Sequence, residues 1–153
     1  MRYFFDSSAI VKRHIAETGS DWVKTIVKSQ PKKNLYLSFV TGAEATAAFA
    51  KRHRNRDIST EDYNTARSVF QHHFQQQYTL LRVTKTVIQR AMDLIHVYPL
   101  RGFDAVQLAT ALILEDNLKR SDLAGITFVC ADKDLCDAAR AEGLTPENPN
   151  DHL

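Results

Sequence analysis

The sequence predicts an α/β protein: an α/β/α sandwich built on a central parallel sheet of four or five strands. Three observations carry that expectation. Short, almost wholly apolar runs recur at Tyr3-Phe4-Phe5, Leu35 to Val40 and Ile126 to Cys130, and runs of this length without polar alternation read as strands covered on both faces. Stretches with helical periodicity separate them, and a strand that returns parallel to its predecessor needs such a crossover. The first and last of these runs lead straight into an acid, at the carboxyl ends of strands, where open α/β sheets bind their ligands.

The first strand ends on Asp6, and Ser7-Ser8 precede the helical pattern Ala9-Ile10-Val11. Taken alone, Asp6 also reads as the cap of that helix. Ala9 to Ile15 gives one or two helical turns, and Thr18-Gly19-Ser20-Asp21 caps a second helix carrying Trp22, Val23, Ile26 and Val27. Pro31-Lys32-Lys33-Asn34 breaks it before the second strand. Thr41-Gly42-Ala43-Glu44 then has the spacing of a capping box with Thr41 as the cap. The helix that follows is rich in alanine up to Ala50, so it packs close to its neighbours. A carboxylate aimed into such a place is costly unless something positive meets it. The helix leaves through Lys51-Arg52-His53-Arg54-Asn55-Arg56, with four formal positive charges in six residues. That run is either a solvated end complementing the helix dipole or a phosphate-contacting patch of Lys51, Arg52, Arg54 and Arg56.

Ser59-Thr60-Glu61-Asp62 caps a helix whose Tyr63, Ala66, Phe70, Phe74 and Tyr78 follow near-helical spacing. Its adjacent His72 and His73 cannot share a face and read as surface residues. Thr79 to Val83 is a third strand, and a helix from Thr84 to Tyr98 is expected to bury Val87, Ile88, Ala91, Leu94 and Ile95. After Pro99-Leu100-Arg101-Gly102 comes the most apolar helix, Phe103 to Leu114, with only Asp104, Gln107 and Thr110 polar and all on one stripe. Asp104 alone could simply complement the dipole of that helix. Glu115 to Gly125 reads as a polar connection to the fourth strand, which runs into Ala131-Asp132-Lys133-Asp134. The last helix holds Leu135, Ala138 and Ala139, Gly143 stops it, and Leu144-Thr145-Pro146 adds an edge strand. The reading is one domain over 1–146, followed by a polar tail at 147–153.

With 153 residues, 44% hydrophobic and 25% charged, the chain has the composition of a globular protein able to bury a core. Its net charge of +2 is too mild to argue for nucleic acid by itself. Cys130 and Cys136 are too few and too irregularly spaced for a zinc site or a disulfide framework, and Cys130 reads as a small buried hydrophobe. No signal-peptide pattern opens the chain and no run approaches the ~18 apolar residues of a membrane span, so a cytoplasmic location with reduced cysteines is expected.

The topology gathers four acids. In a parallel sheet every strand's carboxyl end lies on one edge, and the helices that run back begin there. Asp6 and Asp132 sit at or just past strand ends, Glu44 lies in the first turn after the second strand, and Asp104 opens a returning helix. Carboxylates about 4 Å apart repel by about 4 kcal/mol per pair at an effective dielectric of ~20, and a divalent cation removes that repulsion. Oxygen-only ligands suit Mg²⁺ or Mn²⁺ rather than zinc, and such a centre suits metal-assisted phosphodiester cleavage.

The stretches Phe5-Asp6-Ser7-Ser8-Ala9-Ile10-Val11-Lys12, Thr41-Gly42-Ala43-Glu44, Phe103 to Ala111 and Ala131-Asp132-Lys133-Asp134-Leu135 carry a resemblance. So do Ala138 to Leu144 and Asn148-Pro149. In order and spacing the chain resembles PIN-domain ribonucleases, of the VapC-like kind that form the toxin half of type II toxin–antitoxin pairs. The resemblance implies a PIN-like fold and a metal-dependent endoribonuclease. It makes Asp6, Glu44, Asp104 and Asp132 the catalytic and metal-binding quartet, with Ser8 supporting it and Asp134 a possible extra ligand. Gln107 stands where many relatives carry His. The resemblance also implies an RNA substrate, a homodimer held by helices of the first half, and inhibition by a small antitoxin protein.

Rival readings meet specific obstacles. A haloacid-dehalogenase-type phosphatase needs an acid two residues after the first Asp, where Ser8 stands. A nucleotide-binding Rossmann or P-loop protein needs glycines after the first strand, and there are none. A receiver domain is expected to pair acids there, and only Asp6 is present. A PIN-like module that binds RNA or protein without cutting remains as the alternative.

Overall fold

The computed structural model describes residues 1–153. Five strands, β1 (Arg2–Phe5), β2 (Leu35–Ser38), β3 (Thr79–Leu81), β4 (Ile126–Val129) and β5 (Thr145–Glu147), form one sheet in the order β3-β2-β1-β4-β5. Every pairing is parallel. The helices are α1 (Ser7–Ile10), α2 (Ser20–Ser29), α3 (Val40–Arg54), α4 (Thr60–Gln76), α5 (Lys85–Val97), α6 (Gly102–Arg120) and α7 (Lys133–Ala141).

β1 is apolar because it is central. Its alternate side chains point to opposite faces, so Phe4 packs into one core with α5, α6 and α7, while Phe5 packs into the other with α1, α2, α3 and α4. The chain steps from β1 outward to β2 and β3, then returns across the sheet to β4 and β5. The order therefore reverses at β1, with Phe5 in register with Val129 of β4. A ligand crevice is expected at this reversal, beyond the strands' carboxyl ends.

Several boundaries differ from the sequence reading. β2 stops at Ser38 and α3 begins at Val40, so Thr41 is a buried residue inside the helix and caps nothing. α6 continues to Arg120 because Glu115 is buried and useful: its Oε2 accepts the Ile126 N–H at 3.0 Å, at the start of β4. Gly125 leaves room for it, since a Cβ there would run into that carboxylate and displace it. α5 buries Val87, Ala91 and Leu94, whereas Ile88 and Ile95 stay exposed. The buried stripe faces α6, and Ile88, Met92 and Ile95 lie one position round the helix, where nothing covers them. His73 is not a free surface residue, for its ring lies 5.4 Å from that of His14 and its Nδ1 is buried.

The cysteines also depart from expectation. The chain turns after Cys130, and the first turns of α7 bring Cys136 back over the strand end, with Cα atoms 6.3 Å apart and the two sulfurs adjacent. Sequence spacing could not foresee this closure, which depends on the strand–turn–helix geometry. The segment read as a tail starts with the last residue of β5, makes a 3₁₀ turn at Pro149–Asp151 and stacks the His152 ring on Trp22 of α2 at 4.1 Å. No helix is long and apolar enough to cross a membrane.

Candidate active site

Asp6 follows β1 directly, with its N–H bonded to Val129 O of β4 at 3.0 Å. It does cap α1, accepting the Ala9 N–H at 3.0 Å. Ser8 Oγ reaches both Asp6 oxygens, at 2.7 and 2.9 Å, and itself accepts the Ala131 N–H at 2.9 Å. Ser8 thus ties the end of β1 to the loop that carries Asp132. Burial pushes the Asp6 carboxyl up to about 7, against the Ser8 and Ala9 hydrogen bonds that favour its charge, while Asp104 and Glu44 add repulsion.

Glu44 is fixed from two sides. Its Oε1 accepts from Ser7 Oγ at 2.8 Å and from Gln107 Nε2 at 2.9 Å. Gln107, on the polar stripe of α6, is 1% exposed, and its amide nitrogen also lies 2.9 Å from Ser7 Oγ and from Thr41 Oγ1. The carboxylate beside it fixes which end of the amide is NH₂. The other end, Oε1, is buried with no partner.

Asp104 lies in the first turn of α6 and Asp132 caps α7, accepting the Leu135 N–H at 3.1 Å. Both also meet Arg101, whose Nε is 3.2 Å from Asp104 and whose Nη2 is 3.8 Å from Asp132. Asp104, foremost, holds the Arg101 guanidinium still more firmly protonated. Asp6, Glu44, Asp104 and Asp132 all line one cleft of about 340 Å³, together with Ser7, Ser8, Gln107, Arg101, Lys12 and Glu17. Asp134 is exposed in the first turn of α7 and does not line it. As the side chains lie, no three acids, histidines or cysteines converge closely enough to hold a metal ion. The donor set nevertheless fits one: four carboxylates with no His or Cys in the lining, of which Asp6 and Glu44 have no cation paired with them while the other two share Arg101, and an unpartnered buried amide oxygen beside them.

The basic run separates into two parts. Glu44, Ala48 and Arg52 lie one turn apart on a single face of α3, and Arg52 Nη1 turns to Glu17 at 3.0 Å, with Asp57 3.7 Å from its Nε. Arg52 is therefore half-buried and paired within the protein. Lys51, Arg54 and Arg56 are exposed, the last two beside a groove of about 580 Å³ between α3 and α4. Arg54 lies roughly 15 Å along α3 from Glu44.

No protein-family model matches the chain. Ribonuclease VapC45 and Ribonuclease VapC49 of Mycobacterium tuberculosis are each 31% identical to it over 140 residues, covering 92% of this chain and 90% of theirs. The chain belongs to the VapC ribonuclease family. Among solved structures, FitAcB from Neisseria gonorrhoeae superposes with a TM-score of 0.62 at 18% identity, covering 99% of both chains. M. tuberculosis VapC20, described as a toxin cleaving the sarcin-ricin loop, gives 0.62 at 14% identity over 94% of this chain and 96% of its own. VapBC2 from Rickettsia felis, bound to promoter DNA, gives 0.60 at 13% identity over 97% of this chain and 98% of its own. These likenesses establish the PIN-like fold of this VapC-family chain.

Some participants were legible and others were not. Gln107 announced itself through the Asp104-Gln107-Thr110 stripe, although its grip on Glu44 did not. Arg101 read only as a helix breaker, yet its place three residues before Asp104 is the spacing at which helix neighbours meet. Ser7 and Thr41 looked like caps. Lys12 and Glu17 gave no signal beyond a charge set in an apolar run.

Proposed function

We propose that the chain is a metal-dependent endoribonuclease that hydrolyses RNA phosphodiester bonds, and the toxin of a toxin–antitoxin pair. The observation that carries this is the meeting of Asp6, Glu44, Asp104 and Asp132, from four separate elements, along one cleft at the reversal of the sheet. Relatives named ribonucleases match over nearly the full length, which supports it.

Asp6, Asp104 and Asp132 would hold the ion directly, with Glu44 acting through water or orienting the attacking water. A Mg²⁺ or Mn²⁺ ion bound there supplies Lewis acidity toward the phosphodiester and offsets the charge that develops on it. The protein's own contribution is orientation. Ser8 fixes both oxygens of Asp6. Ser7 and Gln107 occupy Glu44 Oε1, leaving Oε2, which has no partner in the protein, to accept the water's proton. The water oxygen forms the new bond to phosphorus, the bridging P–O bond breaks, and a proton goes to the departing oxygen.

An antitoxin partner accords with the complexes among the structural neighbours. A homodimer is the other assembly proposed. The exposed strip of Ile88, Met92, Ile95 and Phe103 calls for cover by some partner, and it lies on α5 and α6 rather than on first-half helices. The cytoplasm, where RNA is met, is the proposed location.

The spread of the acids favours a second reading, a non-catalytic RNA- or protein-binding module. Incubating the purified protein with RNA in Mg²⁺ or Mn²⁺, with and without excess EDTA, separates the two. Cleavage that EDTA abolishes is expected. Cleavage undiminished by EDTA would remove the metal, and intact RNA under every condition would leave the binding module.

A further inference from the structure

We propose that Lys12 is the residue that holds the RNA phosphate lying in the cleft. The inference rests on the ribonuclease reading above. Lys12 sits in the 3₁₀ turn Val11–Arg13 that follows α1 and is only 5% exposed, yet it lines the same cleft as the four carboxylates. Lysines are almost never buried to this degree unless something anionic meets them.

Its anion inside the protein is a shared one. Glu17 Oε1 accepts from Lys12 Nζ at 3.2 Å, while Glu17 Oε2 accepts from Arg52 Nη1 at 3.0 Å. Arg52 alone would satisfy Glu17 and tie the segment after α1 to α3, so the tie does not need a second cation. Nor is Lys12 a counter-ion for the acids, for it makes no salt bridge to any of the four, and Asp104 and Asp132 meet Arg101 instead. An ammonium has three donors, and Lys12 uses one. Two donors and part of a positive charge remain in a polar cleft that the four carboxylates also line. A phosphodiester presents the complementary chemistry, with anionic oxygens for Lys12 and a phosphorus for the acidic side of the cleft. Glu17 and Arg52 then position Lys12, and the burial of its stem spares the entropy of ordering a long side chain when substrate arrives.

The test measures binding of a fluorescein-labelled short single-stranded RNA, in EDTA so that binding is read without cleavage, across a range of KCl concentrations. Lys12→Met keeps the length and the apolar stem. It is expected to weaken binding roughly threefold to tenfold and to lower the slope of log affinity against log salt by about 0.7, the increment for one contact to a single-stranded phosphate. Lys12→Arg should restore the slope. Glu17→Gln, which removes the carboxylate that shares the charge of Lys12, should tighten binding. A purely structural Lys12 would give a lower melting temperature in Lys12→Met with affinity and slope unchanged, and that result overturns the proposal. If Lys12→Met does not fold, Glu17→Gln decides: tighter binding supports the role, and unchanged or weaker binding overturns it. A wild-type protein that cuts RNA, with a salt slope indifferent to Lys12, removes this inference alone. A wild-type protein that neither binds nor cuts RNA removes the ribonuclease reading and this inference together.

Discussion

The Asp6 carboxyl is held by Ser8 and the Ala9 N–H yet buried among other acids, so its hydrogen bonds and its burial pull its charge in opposite directions. Burial dominates and lifts the group from 3.8 to about 7. Folded Asp6 therefore keeps its proton where the unfolded chain has lost it, and the metal-free fold loses stability as pH rises from about 4 to about 7. At 1.36 kcal/mol per pKa unit the full loss is about 4 kcal/mol above pH 7. Asp6→Asn retains an acceptor for Ala9 and carries no charge. It should be about 2–4 kcal/mol more stable than the wild type in EDTA at pH 8, equal to it near pH 4, and inactive on RNA. Denaturant titrations at the two pH values check this; equal stability at pH 8 would mean that the site relieves the charge by means other than protonation. The same residue was readable from sequence because its position at a strand end is a local property. Asp6 also caps α1, and that contact leaves its carboxylate in the cleft.

At the scale of elements, α3 sorts its cations by face. Arg52 continues the face of Glu44 and Ala48 and is drawn to Glu17, whereas Lys51, Arg54 and Arg56 stand in solvent. If the exposed three touch the RNA backbone beyond the cleft, replacing them together with Gln should flatten the salt dependence of RNA affinity by about 2 units of slope, at ~0.7 for each of three contacts. Metal-dependent melting should be untouched. An unchanged slope would make them an ordinary solvated helix end. Sequence showed the charge run but not this sorting, since the choice of partner for Arg52 depends on Glu17, which a turn of irregular backbone delivers. Similarly, α6 looked finished at Leu114 because Glu115 opens a polar stretch. Its carboxylate proved to be buried against the first N–H of β4, a contact between distant elements that no local pattern encodes. The cysteine pair was hidden for the same reason.

For the molecule as a whole, a second buried group offsets the first. His14, packed among Phe49, Phe70 and His73, is pushed down to about 3, chiefly by burial and then by Arg13. Here the unfolded chain binds the proton that the fold refuses, so stability is lost as pH falls from 6.5 toward 3. Between pH 6.5 and pH 4 this amounts to about 3 kcal/mol, opposite in sign and similar in size to the Asp6 effect. The metal-free wild type should thus change less in stability over that range than Asp6→Asn does. Asp6→Asn should fall steeply toward acid, because His14 then acts unopposed. Equilibrium unfolding at closely spaced pH values measures both, and a flat Asp6→Asn profile would contradict the assignment to His14.

The central place of β1 has a consequence for synthesis. Its two neighbours are β2, reached within some thirty residues, and β4, whose Val129 pairs with Phe5 only after most of the chain has been made. Until β4 leaves the ribosome, one side of β1 is an open edge, the Ala131 N–H that anchors Ser8 is missing and Asp132 does not yet exist. A nascent chain ending between Asp104 and that point carries the first three acids but lacks the wall that completes the cleft. Premature termination would on this basis yield harmless fragments, and the potency of the nuclease would appear all at once, near the end of translation.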